Sequence, residues 1–162
     1  MIEKKITSTF RELDDAAELP ATLQSLLLKA KEAIEDAYAP YSSFRVGAAA
    51  LLENGIVVKG SNQENASSPV GICAERVTLS AVSAMYPGIA VVAIAISARP
   101  GNHTLTEPVA PCGICRQAII EYEERFSKPI QLILQGESGK IAWLENTTML
   151  LPLAFRRESL KR

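Results

Sequence analysis

Two short segments carry the residue types that hold metals and move protons: Cys73-Ala74-Glu75-Arg76 and Pro111-Cys112-Gly113-Ile114-Cys115-Arg116-Gln117. Between them they contain all three cysteines of the chain. Each opens a stretch of helical periodicity, so the cysteines fall in or beside a first helical turn. Side chains two or three apart at such a turn do not share a helix face. They surround the axis, however, and converge on a point beyond the helix end. Two helix beginnings facing one another would gather three sulfurs and one carboxylate. Three protein ligands are the count of a catalytic zinc site, because the fourth tetrahedral place stays free for water. Zinc brings the pKa of such a water toward ~7. Three thiolates oppose that pull with excess negative charge. The partial positive charge and free N–H groups of helix N-termini offset it, and Arg76 adds a full charge and hydrogen bonds beside the thiolates. Glu75, left out of the ligand set, serves as proton shuttle. A lone Cys-x-x-Cys also reads as a redox pair; the third cysteine and Glu75 favour the metal.

The elements that must position these residues follow from periodicity and punctuation. Residues 1–19 are polar, with a short strand expected around residues 4–10. From Pro20 to Ala37 the apolar positions Leu23, Leu26, Leu27, Ala30, Ile34 and Ala37 recur at helical spacing, and Pro20 suits a first turn. Phe44 through Leu52, then Asn54-Gly55, then Ile56 through Gly60 reads as a β-hairpin. A polar loop over 61–71 leads to a helix over 73–85, which Tyr86-Pro87-Gly88 ends. The apolar residues 89–98 predict a central strand buried on both faces. After a polar loop over 99–111 come a helix from Cys112 and strands over 130–135 and 141–144, and residues 150–155 close the domain. The order αββαβαββ implies one mixed sheet with helices on its faces.

Composition bounds the rest. The 162 residues make one domain, residues 20–155, preceded by an extension (1–19) and followed by a charged tail (156–162). A hydrophobic content of 48% suffices for a core without disulfides. The net charge of −1 argues against a nucleic-acid partner, which calls for a basic excess. The longest apolar run, Ile89 to Ile96, is too short for a membrane span. The charged start Met1-Ile2-Glu3-Lys4-Lys5 does not resemble a secretory signal. With an odd number of thiols, the expected setting is the reducing cytoplasm.

Taken together, the chain resembles the small, homotetrameric cytidine deaminases over residues 23–155. The motifs that carry the likeness are Phe44-Arg45-Val46-Gly47-Ala48-Ala49, Asn62-Gln63-Glu64-Asn65-Ala66, Cys73-Ala74-Glu75-Arg76, Pro111-Cys112-Gly113-Ile114-Cys115-Arg116-Gln117 and Leu151-Pro152-Leu153-Ala154-Phe155. The resemblance implies a three-layer α/β/α sandwich with one mixed five-stranded sheet. It implies one Zn2+ per subunit held by Cys73, Cys112 and Cys115, with Glu75 as proton donor and acceptor in the hydrolysis of a cytosine-type nucleoside. It further implies that Phe44 packs on the pyrimidine, that Asn62 and Glu64 bind the ribose 3′-hydroxyl, and that the Ala74 backbone reads the base carbonyl. Phe155 and the loop at Ala66 to Ser68 would face sites of neighbouring subunits. The family usually has Tyr where this chain has Ser68, which puts preference at the 5′ side of the sugar in question.

Plainer readings stand beside these. Cysteines are commonly small buried hydrophobes, Phe44 could be ordinary core, and Asn62 and Glu64 could merely brace their loop. His103, the only histidine, sits in a polar stretch that reads as a solvated turn. Trp143, Tyr38 and Tyr41 read as packing residues. Rival functions are a deaminase of a related aminated nucleoside of the blasticidin type, a polynucleotide editor, and a zinc-stabilised module without catalysis. A substrate panel, a gel shift and Glu75→Gln separate them in turn.

Overall fold

In the computed structural model of the protein, which describes residues 1–160, nine regular elements follow one another. They are β1 (Arg11–Leu13), α1 (Ala21–Ala33), β2 (Phe44–Leu52), β3 (Val57–Ser61), α2 (Ala74–Met85), β4 (Val91–Pro100), α3 (Gly113–Phe126), β5 (Gln131–Gln135) and β6 (Ile141–Leu144). The strands form one sheet in the order β1-β6-β5-β4-β2-β3. Only the β4–β5 pair is parallel; α3 makes its crossover.

Alternation along the central strand assigns the layers. Ala93 and Ala95 of β4 pack with Leu23, Leu26, Leu27 and Ala30 of α1 on one face. Ile94 and Ile96 face the other way, into a core shared with Leu79 and Val82 of α2 and Ile119 of α3. Each fully buried Ile or Leu there contributes ~1.5–3 kcal/mol. The three-layer arrangement is therefore α1, sheet, then α2 with α3.

The expected order of elements is present, with one addition. The sheet has six strands rather than five, because Arg11–Leu13 of the N-terminal extension pairs antiparallel with β6, Leu13 opposite Ile141. The strand expected around residues 4–10 thus lies just beyond them. Its location is set by the free edge of β6 and by two long-range ties: Ser8 Oγ donates to the Met149 carbonyl (2.8 Å), and Lys140 pairs with Glu12. The hairpin turns through Asn54 and Gly55, the latter at φ +85°, a region glycine enters without strain. Helix α1 stops at Ala33 and a 3-10 turn over Ile34–Asp36 follows. Pro20 is its N-cap residue rather than part of its first turn. Arg157–Leu160 forms a further 3-10 turn. Lys161 and Arg162 of the charged tail lie outside the described residues.

Candidate active site

Helices α2 and α3 both begin with a cysteine at the N-cap position, Cys73 and Cys112, each in extended conformation and neither making a side-chain cap hydrogen bond. A Ser, Thr or Asp there would be worth ~0.5–2 kcal/mol through its cap bond. Cysteine forgoes that contribution, and the sulfur is left to point past the helix end. Cys115 stands one turn into α3 and is fully buried, whereas Cys73 is half-buried and Cys112 exposed. The Cys73 and Cys112 sulfurs lie 3.9 Å apart and those of Cys112 and Cys115 3.5 Å apart. All three fall within 4.8 Å of one another. Zn–S bonds of ~2.3 Å in tetrahedral geometry put sulfurs ~3.8 Å apart. The three cysteines therefore fit one Zn2+ ion.

Glu75 occupies the second position of α2 and is only 5% exposed. Burial raises its pKa, against the smaller opposing pull of its own backbone N–H and of Cys115. A carboxyl that holds its proton more tightly than usual is suited to exchanging one near neutrality. Among the thiols the proton is shared unequally. Cys73 is lowered to about 6, chiefly by the hydrogen bond from Cys115 and further by Cys112 and the Arg76 charge, with burial and Glu75 opposing. Cys115 is raised, first because its hydrogen is held by Cys73 and then by burial. Arg76 thus acts on the cluster through its charge. Its expected hydrogen bond to a sulfur is not formed among the described residues.

A cleft of about 390 Å³ opens onto this cluster, a size suited to a small ligand. Phe44, Asn62, Glu64, Cys73, Ala74, Glu75 and Cys112 all line it. Phe44 starts β2, pairing with Pro100 at the C-terminal end of β4. Asn62 follows β3 and spans back to β2: its Nδ2 donates to the Phe44 carbonyl (2.9 Å) and its Oδ1 accepts the Val46 N–H (2.8 Å). Glu64 is braced as well as exposed to the cleft, accepting the Tyr41 N–H at 2.9 Å. Its pKa is lowered, first by the Ser42 hydroxyl and then by the Tyr41 N–H. Ala66, Ser68 and Phe155 are exposed and do not line the cleft within one chain. Ser68 opens a 3-10 turn, and the Phe155 carbonyl accepts from Gln117 Nε2 (2.8 Å). His103 is exposed, hydrogen-bonded to Asn102.

Five lining residues were given no site role by the sequence reading: Ser42, Val46, Ile96, Val109 and Ala110. The last two immediately precede Pro111-Cys112, a position that could have signalled them. Arg116 secures the same approach, its Nε donating to the Pro111 carbonyl (2.7 Å) and its guanidinium to the Leu150 carbonyl (2.8 Å).

A mixed sheet whose two helix N-termini present three thiols, with a buried carboxyl beside them and one side open to a cleft, is the plan of a metal-dependent hydrolase. Residues 20–127 match the family model for the cytidine and deoxycytidylate deaminase zinc-binding region. The chain is 42% identical to the cytidine deaminase of Halalkalibacterium halodurans, over 85% of this chain and 96% of that one. It is 39% identical to that of Sporosarcina psychrophila, over 85% and 94%. The crystal structure of the cytidine deaminase from Burkholderia pseudomallei superposes with a TM-score of 0.69 at 41% identity, covering 81% of this chain and 97% of that one. That from Mycobacterium tuberculosis does so at 0.64 and 31%, covering 83% and 97%. The chain belongs to the cytidine and deoxycytidylate deaminase family.

Proposed function

We propose that this enzyme hydrolytically deaminates cytidine, 2′-deoxycytidine or both, giving the uridine nucleoside and ammonia. The observation that carries the reading is the convergence of three sulfurs at tetrahedral-site spacing with the buried Glu75 at the floor of a nucleoside-sized cleft. Zinc, when bound by Cys73, Cys112 and Cys115, supplies Lewis acidity that makes water nucleophilic near neutral pH. Glu75 takes one proton from the attacking water and delivers it to ring N3 as C4 becomes tetrahedral. It then takes the remaining proton of the new C4 hydroxyl and passes it to the amino group, so that the C4–N bond breaks, ammonia leaves and the C4 carbonyl forms. Phe44 stacks on the pyrimidine and fixes its plane. The Ala74 backbone reads the base carbonyl, while Asn62 and Glu64 hold the sugar 3′-hydroxyl. Arg76 stabilises the thiolates by its charge.

The working form we propose is a homotetramer in the cytoplasm. Apolar side chains on the segments flanking the metal end support the assembly: Val70, Ile114, Leu153 and Phe155 are all more than half exposed in the single chain. In that assembly Ala66, Ser68 and Phe155 would complete a neighbour's cleft. No described helix is long and apolar enough to cross a membrane.

The test is metal analysis alongside loss of cytidine absorbance. One zinc per chain and ammonia release are expected. In Glu75→Gln, zinc should remain while kcat falls by roughly a hundredfold or more. A Glu75→Gln enzyme with full turnover refutes the mechanism.

A further inference from the structure

Ser42 has no part in the mechanism above, yet it lines the cleft where the sugar end is built. Its hydroxyl donates to Glu64 Oε1 and accepts the Phe44 N–H at 3.0 Å. Its own N–H donates to Glu64 Oε2 at 3.3 Å, beside the Tyr41 N–H at 2.9 Å on the same oxygen. One hydroxyl thus joins the backbone under the stacking ring to the carboxylate that meets the sugar.

The tie spans an unusual piece of backbone. Ser43, between Ser42 and Phe44, lies at φ +55°, a left-handed conformation uncommon for a residue with a Cβ, and the Ser42 hydroxyl fixes the Phe44 N–H just beyond it. On the far side Phe44 is held by Asn62 through its carbonyl, so Ser42 and Asn62 grip the two polar groups of the same residue. The hydrogen-bond inventory also narrows what the pair recognises. A carboxylate offers about four acceptor sites, and Glu64 commits three of them to Tyr41 N–H, Ser42 N–H and the Ser42 hydroxyl. Asn62 Nδ2 has spent one of its two N–H donors on Phe44. Glu64 keeps one acceptor site and Asn62 Nδ2 one N–H, which together complement a single hydroxyl group, while Asn62 Oδ1, with one lone pair on the Val46 N–H, keeps its other.

We propose that Ser42 is the positioning residue of the sugar end: its hydroxyl, held between the Phe44 N–H and Glu64, sets the seat of the stacking ring and confines Glu64 to one substrate hydroxyl. The inference rests on the nucleoside reading above. Alanine at this position removes both hydrogen bonds and frees one Glu64 acceptor site, whereas threonine keeps the hydroxyl.

The experiment compares wild type, Ser42→Ala and Ser42→Thr on cytidine and on 3′-deoxycytidine, with zinc content and Tm measured for each. Losing a hydrogen bond to a charged group corresponds to a KM rise of roughly tenfold on cytidine for Ser42→Ala, with kcat within about twofold. The penalty for omitting the 3′-hydroxyl should shrink by a similar factor, because the carboxylate that reads it is already displaced. Ser42→Thr should restore KM to within about threefold, and zinc content should be unchanged throughout. A wild-type KM in Ser42→Ala overturns the proposal, as does an undiminished 3′-hydroxyl penalty. So does a loss confined to kcat and accompanied by lost zinc. A wild type that releases no ammonia from cytidine overturns the nucleoside reading itself, a result distinct from all of these.

Discussion

Replacing Gly136 by alanine sets two effects of opposite sign against each other, and the structure decides which wins. Gly136 follows β5 and does not have a positive φ. On backbone grounds alone alanine should therefore stabilise the protein by ~0.4–1 kcal/mol through the unfolded state. A Cβ built there, however, would lie 2.3 Å from the Leu105 carbonyl oxygen and 2.9 Å from that of Glu107. Ordinary C···O contact is ~3.3 Å or more, so the loop must retreat by about 1 Å. The same Leu105 carbonyl accepts the Glu137 and Ser138 N–H groups at 2.8 and 3.3 Å, and retreat lengthens both bonds. Overpacking of ~1–3 kcal/mol plus ~1 kcal/mol of weakened hydrogen bonding exceeds the backbone gain. The net is a destabilisation of roughly 1–3 kcal/mol, or about 3–10 °C in Tm for a chain of this size. The displaced loop also carries Val109 and Ala110 into the cleft and delivers Cys112 to the metal. A shift of that size at reacting groups lowers kcat/KM by roughly ten- to a hundredfold. Thermal unfolding followed by circular dichroism, with ammonia release at 20 °C or so, reads both quantities. Wild-type Tm and turnover in Gly136→Ala would refute the reasoning.

Removing zinc with a chelator should abolish ammonia release while the far-ultraviolet spectrum is largely kept, and stoichiometric zinc should restore it; turnover that survives metal removal contradicts the three-thiolate site. Glu123→Ala strips one buried carboxylate oxygen from Ile130 N–H, Thr147 N–H and Thr147 Oγ1, at 2.9, 3.0 and 2.8 Å. It should cost about 3 kcal/mol, seen as a Tm loss near 6–12 °C with KM unchanged; an unshifted Tm would show that water replaces the carboxylate at no cost. Ser68→Tyr should change KM for nucleosides that differ at the 5′ carbon. Equal catalytic efficiency of wild type and variant on cytidine would argue against any role for this position at the sugar.

What could be read from the chain beforehand depended on how locally each feature is determined. Cys73, Glu75, Cys112 and Cys115 are legible because a first helical turn fixes where its side chains point, and four residues suffice to specify one. Residues 89–98 are legible as a central strand because burial on both faces needs an unbroken apolar run. Arg11–Leu13 is not, since Arg-Glu-Leu carries no alternation and becomes a strand only because the β6 edge lies beside it. Asn62 was legible as polar and near the cleft. Its service to the Phe44 carbonyl and Val46 N–H was hidden, because those partners lie 18 and 16 residues away. Ser42 was hidden for the same reason: a serine after two tyrosines and a proline looks like a helix breaker until Glu64, 22 residues on, closes upon it.

Motif residues supply the ligands, but their spacing in space comes from the sheet. Cys73 and Cys112 are 39 residues apart in sequence, and their sulfurs meet because α2 and α3 pack on the same face, over Ile94 and Ile96 of β4. The first turn of α2 is held down by small groups. Ala48 and Ala74 are fully buried, and Thr78 Oγ1 donates to the Ala74 carbonyl at 2.8 Å with the Ala48 carbonyl at 3.4 Å. The first turn of α3 is held by Arg116, which grips the chain on both sides of it, at Pro111 and at Leu150. Neither helix start can slide far enough to spoil the spacing of the sulfurs, which metal ligation holds to within ~0.2 Å, without straining these ties. The metal site is therefore preorganised by contacts that involve no metal ligand: a change at Thr78 acts on metal affinity through geometry, and one at Arg116 both through geometry and through the loss of a positive charge next to Cys115.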